Sequence, residues 1–290
     1  MSEQVCKADM GGDRAAVVDT YGYPVETTGN AVLDILEHRS STRAFARDDN
    51  DRPVAVTDEQ RAAILHAASR APSAGAMMMY SIVSIREQTM LDRLADLCDH
   101  QPMIAKAPWA LIFVVDYAKW IDLFEHVGCF EPEFVERTGK SPRRAPGLGD
   151  FAIAAQDAVI AAQNAVVAAE ALGLGSCYIG DIVENAEEVA ELLDLPAYTV
   201  PLSMLIIGTP RKERPAIAHP VVNLVHEERY RRADAATMDA QVAEMDAMFR
   251  PHAREVGERV VDIYTRKHTS PFMAEMSRSM EWWFKNWLGK

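Results

Sequence analysis

Between residues 30 and 210 the apolar positions fall into two alternating periods. At 30–38, Val32, Leu33, Ile35 and Leu36 recur at helical spacing, and the polar run ARDDNDRP that follows His38-to-Phe45 predicts a solvated loop. Thr57, with Gln60 three residues on, is a capping box, so a second helix is expected from there to about residue 70, ending before Pro72. YSIVSI (80–85) and ALIFVVD (110–116) have strand character, the second apolar enough to be central in a sheet, with a helix over 88–98 between them. A long Ala-rich helix is predicted over 151–172 and is stopped by the glycines of GLGSCYIG, which begins a short apolar stretch. A helix at 186–193 and a strand at 200–208 follow.

Interleaved helices and strands through 30–208 predict one domain of α/β type. Residues 1–29 are polar and read as an arm, with disorder one possibility. Residues 126–149 mix Gly, Pro and charge without periodicity, which predicts a mobile excursion or lid. Beyond 211 comes a charged loop, then amphipathic helical segments such as 235–249. The tail carries Trp282, Trp283, Phe284 and Trp287, too much aromatic surface to leave in water, so it should pack on the body or on a partner chain.

Composition changes this picture in three places. The 290 residues carry 30 Lys and Arg against 43 Asp and Glu, a formal charge of −13, which argues against nucleic acid or an anionic membrane as partner. An anionic cofactor would then need a local Arg cluster. Cys6, Cys98, Cys129 and Cys177 have no metal spacing, and the N-terminus has no apolar signal region, so a reducing, cytoplasmic setting without a metal is expected. The 151–172 helix could pass for a membrane span, but Asp157, Gln163, Asn164 and Glu170 interrupt it. It reads as a buried helix whose small side chains let another helix approach, from the same chain or from a second subunit.

The candidate chemistry is sparse. HRSSTRAF places Arg39 and Arg43 around hydroxyls at a helix end, which suits a phosphate monoester or simply a solvated turn. LGLGSCYIG is not a dinucleotide fingerprint, because Tyr178 stands where the third Gly belongs and the helix comes first. It reads as a helix stop that brings backbone close to something. Cys177 suits a core position better than a nucleophile's, and no His, Ser or Cys forms an acid/base or nucleophilic set. If the protein is an enzyme, a cofactor carries the reaction.

Together, HRSSTRAF, APSAGAMMMY (71–80), Gln101 in DHQPMIAKAPW, GLGSCYIGDI, LLDLPAYTVPLSMLIIGTP and VHEERY resemble the FMN-dependent nitroreductase family, in their order and spacing over about residues 30–230. The likeness is greatest to its larger oxygen-insensitive NADPH nitroreductase and flavin reductase group. The resemblance implies an α+β fold with a central mixed sheet flanked by helices, in an intertwined homodimer with two FMN sites at the interface. It also implies a 231–290 helical extension outside the FMN-binding domain. Hydride would pass from NADPH or NADH through the flavin to a nitroaromatic, quinone or related acceptor in a ping-pong cycle, with no catalytic side chain.

By the same resemblance His38, Arg39, Ser40, Ser41 and Arg43, with Lys212 and Arg214, serve the phosphate and ribityl end. Pro72, Ser73, Ala74, Met78 and Gln101 line the flavin, in part from the partner chain, and Tyr178, Ile179, Gly180 and Asp181 meet the ring. Met78 is expected to face the cofactor and Met77 or Met79 to pack inward. The chain departs from the family pattern at Ala76 and Met78, where the family has Asn and Gln, and at Asp181, where it has Gly. It departs again at Ala216 and Ala218, where it has Lys and Arg; Arg211, Lys212 and Arg214 are candidate substitutes. These departures keep two other readings open: a specialised flavin oxidase, dehydrogenase or reductase of a bulky metabolite, and a non-catalytic dimeric descendant that binds little FMN.

Overall fold

The computed structural model describes residues 28–140, 143–212, 222–249 and 254–290. The apolar runs form four strands: β1 (Tyr80–Ile85), β2 (Trp109–Asp116), β3 (Gly175–Ile179) and β4 (Thr199–Gly208). They lie in the order β1-β2-β4-β3. All eight residues of β2 are buried, as expected of a strand covered on both faces. The fold class stands as α+β, but the described sheet differs from the expected mixed one, since all three pairings are antiparallel. Two connections return the chain to the end of the sheet it left, through α3 (Gln88–Leu97) and α4 (Pro102–Ala105) after β1 and through a turn and α8 (Ala186–Leu192) after β3. The connection from β2 to β3 crosses to the opposite end, leaving those two strands parallel but not adjacent. Alternation of helix and strand looks the same in sequence whether the crossover returns or not. The β2–β4 register slips between Phe113, opposite Ser203, and Val114, opposite Pro201. Pro201 has no N–H to give the ladder, so one residue bulges there.

The helix caps follow from local chemistry. Asn30 accepts from the Val32 and Leu33 N–H groups at the start of α1 (Ala31–His38). Thr57 and Gln60 exchange both bonds of the capping box at α2 (Asp58–Ser69). In the 117–140 stretch the structure has two helices that the pattern did not announce, α5 (Ala118–His126) and α6 (Pro132–Thr138). Pro132 opens α6 and Gly139, with φ +63°, closes it, so seven residues are fenced by punctuation and are too few to show a period. Trp120, Phe124 and Phe130 form a run of ring contacts at 5.5 and 6.3 Å within this stretch, and all three pack against the core of the body.

The Ala-rich helix is α7 (Leu148–Ala171). By length and composition it could cross a membrane. Its Ala154, Ala158, Ala161, Ala162, Ala165 and Ala169 are buried, letting it lie close on α2, β2 and β4. After α9 (Ala235–Phe249) and α10 (Glu258–Ile263), α11 (Pro271–Trp287) docks on the same chain. Trp283 and Trp287 have no exposed surface. Trp283 Nε1 donates to the Val183 carbonyl at 2.9 Å and Trp287 Nε1 to the Gly147 carbonyl at 3.0 Å. Phe151 meets Phe284 edge-on at 5.0 Å. The described tail therefore closes on its own body.

Replacing Trp283 by Ala is expected to lower unfolding free energy by about 3–5 kcal/mol, the usual cost of emptying an aromatic core site. The half-exposed neighbour Trp282 should cost less. Denaturant midpoints of the two variants test the docking, which an effect of W283A below that of W282A would refute.

Candidate functional site

The structure gathers the candidate residues into three groups. The first begins where α1 ends. Arg39 leaves the helix with extended backbone (φ −61°, ψ 140°), because the following residues run alongside the ends of β3 and β4. The Thr42 N–H donates to the Ser176 carbonyl at 2.8 Å, Arg211 N–H to the Ala44 carbonyl at 3.0 Å, and Ala46 N–H to the Thr209 carbonyl at 2.8 Å. Ser40 and Thr42 are buried by this pairing. The Arg39 Nε and the Thr42 hydroxyl are buried with no protein partner. His38, Arg39, Pro210 and Lys212 line one cleft of about 580 Å³, together with the carboxylates of Asp34 and Glu170.

Behind that cleft lies β3. Burial pushes the Cys177 thiol above its ordinary range, while Arg43, the Ser41 hydroxyl and Arg39 pull the other way. A buried, protonated thiol is a core group and not a nucleophile. Burial likewise pushes the Tyr178 phenol up to about 12, opposed by Arg39, and its hydroxyl donates to Gln163 Oε1 at 3.3 Å. The preceding glycines stop α7 as anticipated. Gly173 has φ +73°, its N–H donates to the Glu170 carbonyl at 3.0 Å, and Leu174 N–H donates to the Ala169 carbonyl at 2.9 Å, the Schellman pattern.

The second group is the 71–80 loop, and its organiser, Asp157, is not among the residues that the sequence motifs point to. Asp157 is 2% exposed on the Ala face of α7. Its carboxylate accepts from the Ser73 hydroxyl at 2.9 Å, the Ala74 N–H at 3.0 Å and the Met79 N–H at 3.3 Å. Ser73 Oγ in turn accepts from the Met78 N–H at 2.6 Å. The loop holds Gly75, Ala76 and Met78 at φ +57°, +56° and +48°. Met79 packs inward, Met77 is partly buried on the core, and Met78 remains 36% exposed. The signal for Asp157 was present: one acid at helical spacing among Ala154, Ala158 and Ala161 on a face that must be buried.

Third, Gln101 Nε2 donates to Asp181 Oδ2 at 2.5 Å, so the carboxylate that departs from the family pattern is held by the candidate Gln. Glu184, three residues on, is 3% exposed with Oε1 unpartnered. Its carboxyl is pushed up to about 7 by burial first, then by Asp181, Asp99 and Glu275, with Lys267 opposing. Asp157 and Gln163 stand about 9 Å apart along α7 at 1.5 Å per residue. Within one chain, then, the methionine loop and the Tyr178 end are held at different levels of that helix. Arg214, Ala216 and Ala218 lie outside the described residues. Arg211, a candidate substitute for the basic loop, lines a different cleft from Lys212. Among the described residues no group of His, Cys, Asp or Glu is arranged to hold a metal ion.

The nitroreductase family model matches residues 36–209. The chain is 32% identical over 215 residues to the FMN reductase [NAD(P)H] of Bacillus subtilis, covering 73% of this chain and 79% of that protein. It is 32% identical over 218 residues to the oxygen-insensitive NADPH nitroreductase of Salmonella typhimurium, covering 73% and 81%. Among solved structures, NADPH:FMN oxidoreductase from Vibrio harveyi complexed with NAD+ superposes with a TM-score of 0.66 at 25% identity, covering 86% of this chain and 97% of that one.

Two outcomes follow from the site's electrostatics. Asp157→Ala strands three donors and should cost about 3 kcal/mol or more, with Asp157→Asn losing less, as read from denaturant unfolding and from faster exchange of the Met79 amide. Glu184 is protonated more readily folded than at its ordinary 4.5, so its contribution to stability is complete below about pH 4.5 and lost as pH rises through about 7. Glu184→Gln should therefore be more stable than wild type at pH 8 and match it near pH 4; equal melting curves at both pH values would exclude this.

Proposed function

The chain belongs to the nitroreductase family, and on that premise we propose that it is an FMN-dependent oxidoreductase. It takes a hydride from NADPH or NADH and passes it to a nitroaromatic, quinone or related acceptor in two half-reactions at one site. The observation that carries this reading is Arg39, which lines the cleft while its buried Nε has no protein partner. A buried donor left without an acceptor costs about 1–3 kcal/mol. A phosphate dianion fits that need, with Arg39 and Lys212 lining the same cleft.

In this reading His38, Arg39, Ser40, Ser41, Arg43, Lys212 and Arg214 hold the phosphate and ribityl end. Tyr178, Ile179, Gly180 and Asp181 back the ring, and Gln101 acts through Asp181. Bound FMN supplies the hydride chemistry, and the protein supplies position, backbone donors and shelter from water. Pro72, Ser73, Ala74 and Met78 form the opposite wall, which Asp157 keeps rigid and which Met78 makes soft and apolar.

The working unit is a homodimer whose second subunit brings that wall to the arginine end. α1 exposes Val32, Leu33 and Leu36, and α7 exposes Ile153, Val159 and Ile160. Two copies paired over this face would cover apolar surface that a lone chain leaves wet. Residues 30–230 act as the FMN-binding domain and 231–290 as its helical extension. Cys98, Cys129 and Cys177 are free thiols, which suits a reducing cytoplasm. The acceptor is a small molecule, and neither nucleic acid nor membrane is a partner at a charge of −13.

The purified protein should be yellow, and NAD(P)H added without oxygen should bleach the flavin band. Arg39→Ala should weaken FMN binding about 10- to 100-fold, the worth of a hydrogen bond to a charged group. A chain that takes up no FMN at millimolar concentration would remove the basis of this assignment.

A further inference from the structure

On the other side of the segment that leaves β4 lies a second cleft, of about 590 Å³, lined by Ala46, Arg47, Asp51, Lys106 and Arg211. That volume is in the range of about 300–1,000 Å³ typical of small-molecule sites. We propose that this cleft is an anion site, distinct from the flavin cleft, that binds a phosphate dianion, either free or as a monoester.

The segment around Pro210 separates the two clefts. Its backbone is tied to residues 44–46 by the Phe45–Pro210 bridge and the Arg211 N–H bond to the Ala44 carbonyl. Pro210 and Lys212 line the first cleft, and Arg211 between them lines the second. The packing beneath is tight, since a Cβ at Gly208 would lie 2.7 Å from Pro108 and 2.8 Å from Phe45. Lys106, two residues before Pro108, and Arg47, two after Phe45, are thus carried on closely packed backbone.

Three cations meet one carboxylate here. Asp51 is 3.5 Å from Arg47, whose guanidinium also donates to the Asp51 carbonyl. The nearby Asp48 is occupied by Arg52 at 3.4 Å. Among the described residues no carboxylate pairs with Lys106 or Arg211. In a chain of charge −13, this leaves an uncompensated positive cleft in a field that otherwise repels anions. One guanidinium held in place and two free cations suit the tetrahedral oxygens of a phosphate.

The test is calorimetric titration of the full-length, FMN-saturated protein with inorganic phosphate, with 2′-AMP and with adenosine. Phosphate or 2′-AMP should bind saturably, adenosine should not, and Lys106→Gln/Arg211→Gln should weaken binding at least 10-fold. Lys106→Gln alone gives a smaller loss should the double variant fold poorly. Arg39→Ala should leave the phosphate titration unchanged while weakening FMN, so failure of the flavin reading and of this site are told apart. If 2′-AMP binds and the double variant raises KM for NADPH about 10-fold but not for NADH, the phosphate is that of the electron donor. If inorganic phosphate binds and the NADPH/NADH preference is unmoved, the site takes free phosphate. No binding, or equal binding by wild type and variant, overturns the proposal.

Discussion

A single buried carboxylate, Asp157, sets the geometry on which the site depends. A carboxyl group at 2% exposure is costly unless its lone pairs are filled, and here two backbone N–H groups and a serine hydroxyl fill them. The same bonds offset left-handed backbone at Ala76 and Met78, conformations that cost about 1–3 kcal/mol each outside glycine. Trp120 Nε1 adds a bond to the Met77 carbonyl at 2.9 Å, so the ring-rich 117–130 stretch leans on the loop as well. Met78 is held at the surface because the backbone beneath it cannot move independently of α7.

The surrounding helix makes that possible. Alanines on the buried face of α7 bring its backbone near the sheet, while the Ile153, Val159 and Ile160 side faces outward. One helix thereby supplies the core, the anchor for the loop and an apolar surface. The positive groups are placed with similar economy. Arg39 and Arg43 act on β3 from a strip of extended chain whose own hydrogen bonds go to β3 and to the exit of β4. Each arginine is local, so a strongly acidic protein can still offer an anion two faces of cation.

Sequence by itself determined the elements that depend on near neighbours: the helical spacing of α1, the capped start of α2, the apolar strands β1, β2 and β4, the glycine stop after α7, and the arginines at the end of α1. It also determined the family, since those motifs stand in a recognisable order. Periodicity and capping operate within a few residues, and they are readable for that reason. Helices α5 and α6 escaped because short segments carry too little period.

The tertiary structure alone decided what the long-range polar groups meet. Asp157 and Ser73 are 84 residues apart, Gln101 and Asp181 are 80 apart, and no local pattern links either pair. It decided that the sheet is antiparallel among the described residues, because a returning crossover and a continuing one share the same alternation. It decided too that Trp283 and Trp287 close on their own chain, and that Lys212 and Arg211, adjacent in sequence, serve different clefts. Burial of a charge or an aromatic ring is settled by which surfaces come together, and that depends on the whole chain at once.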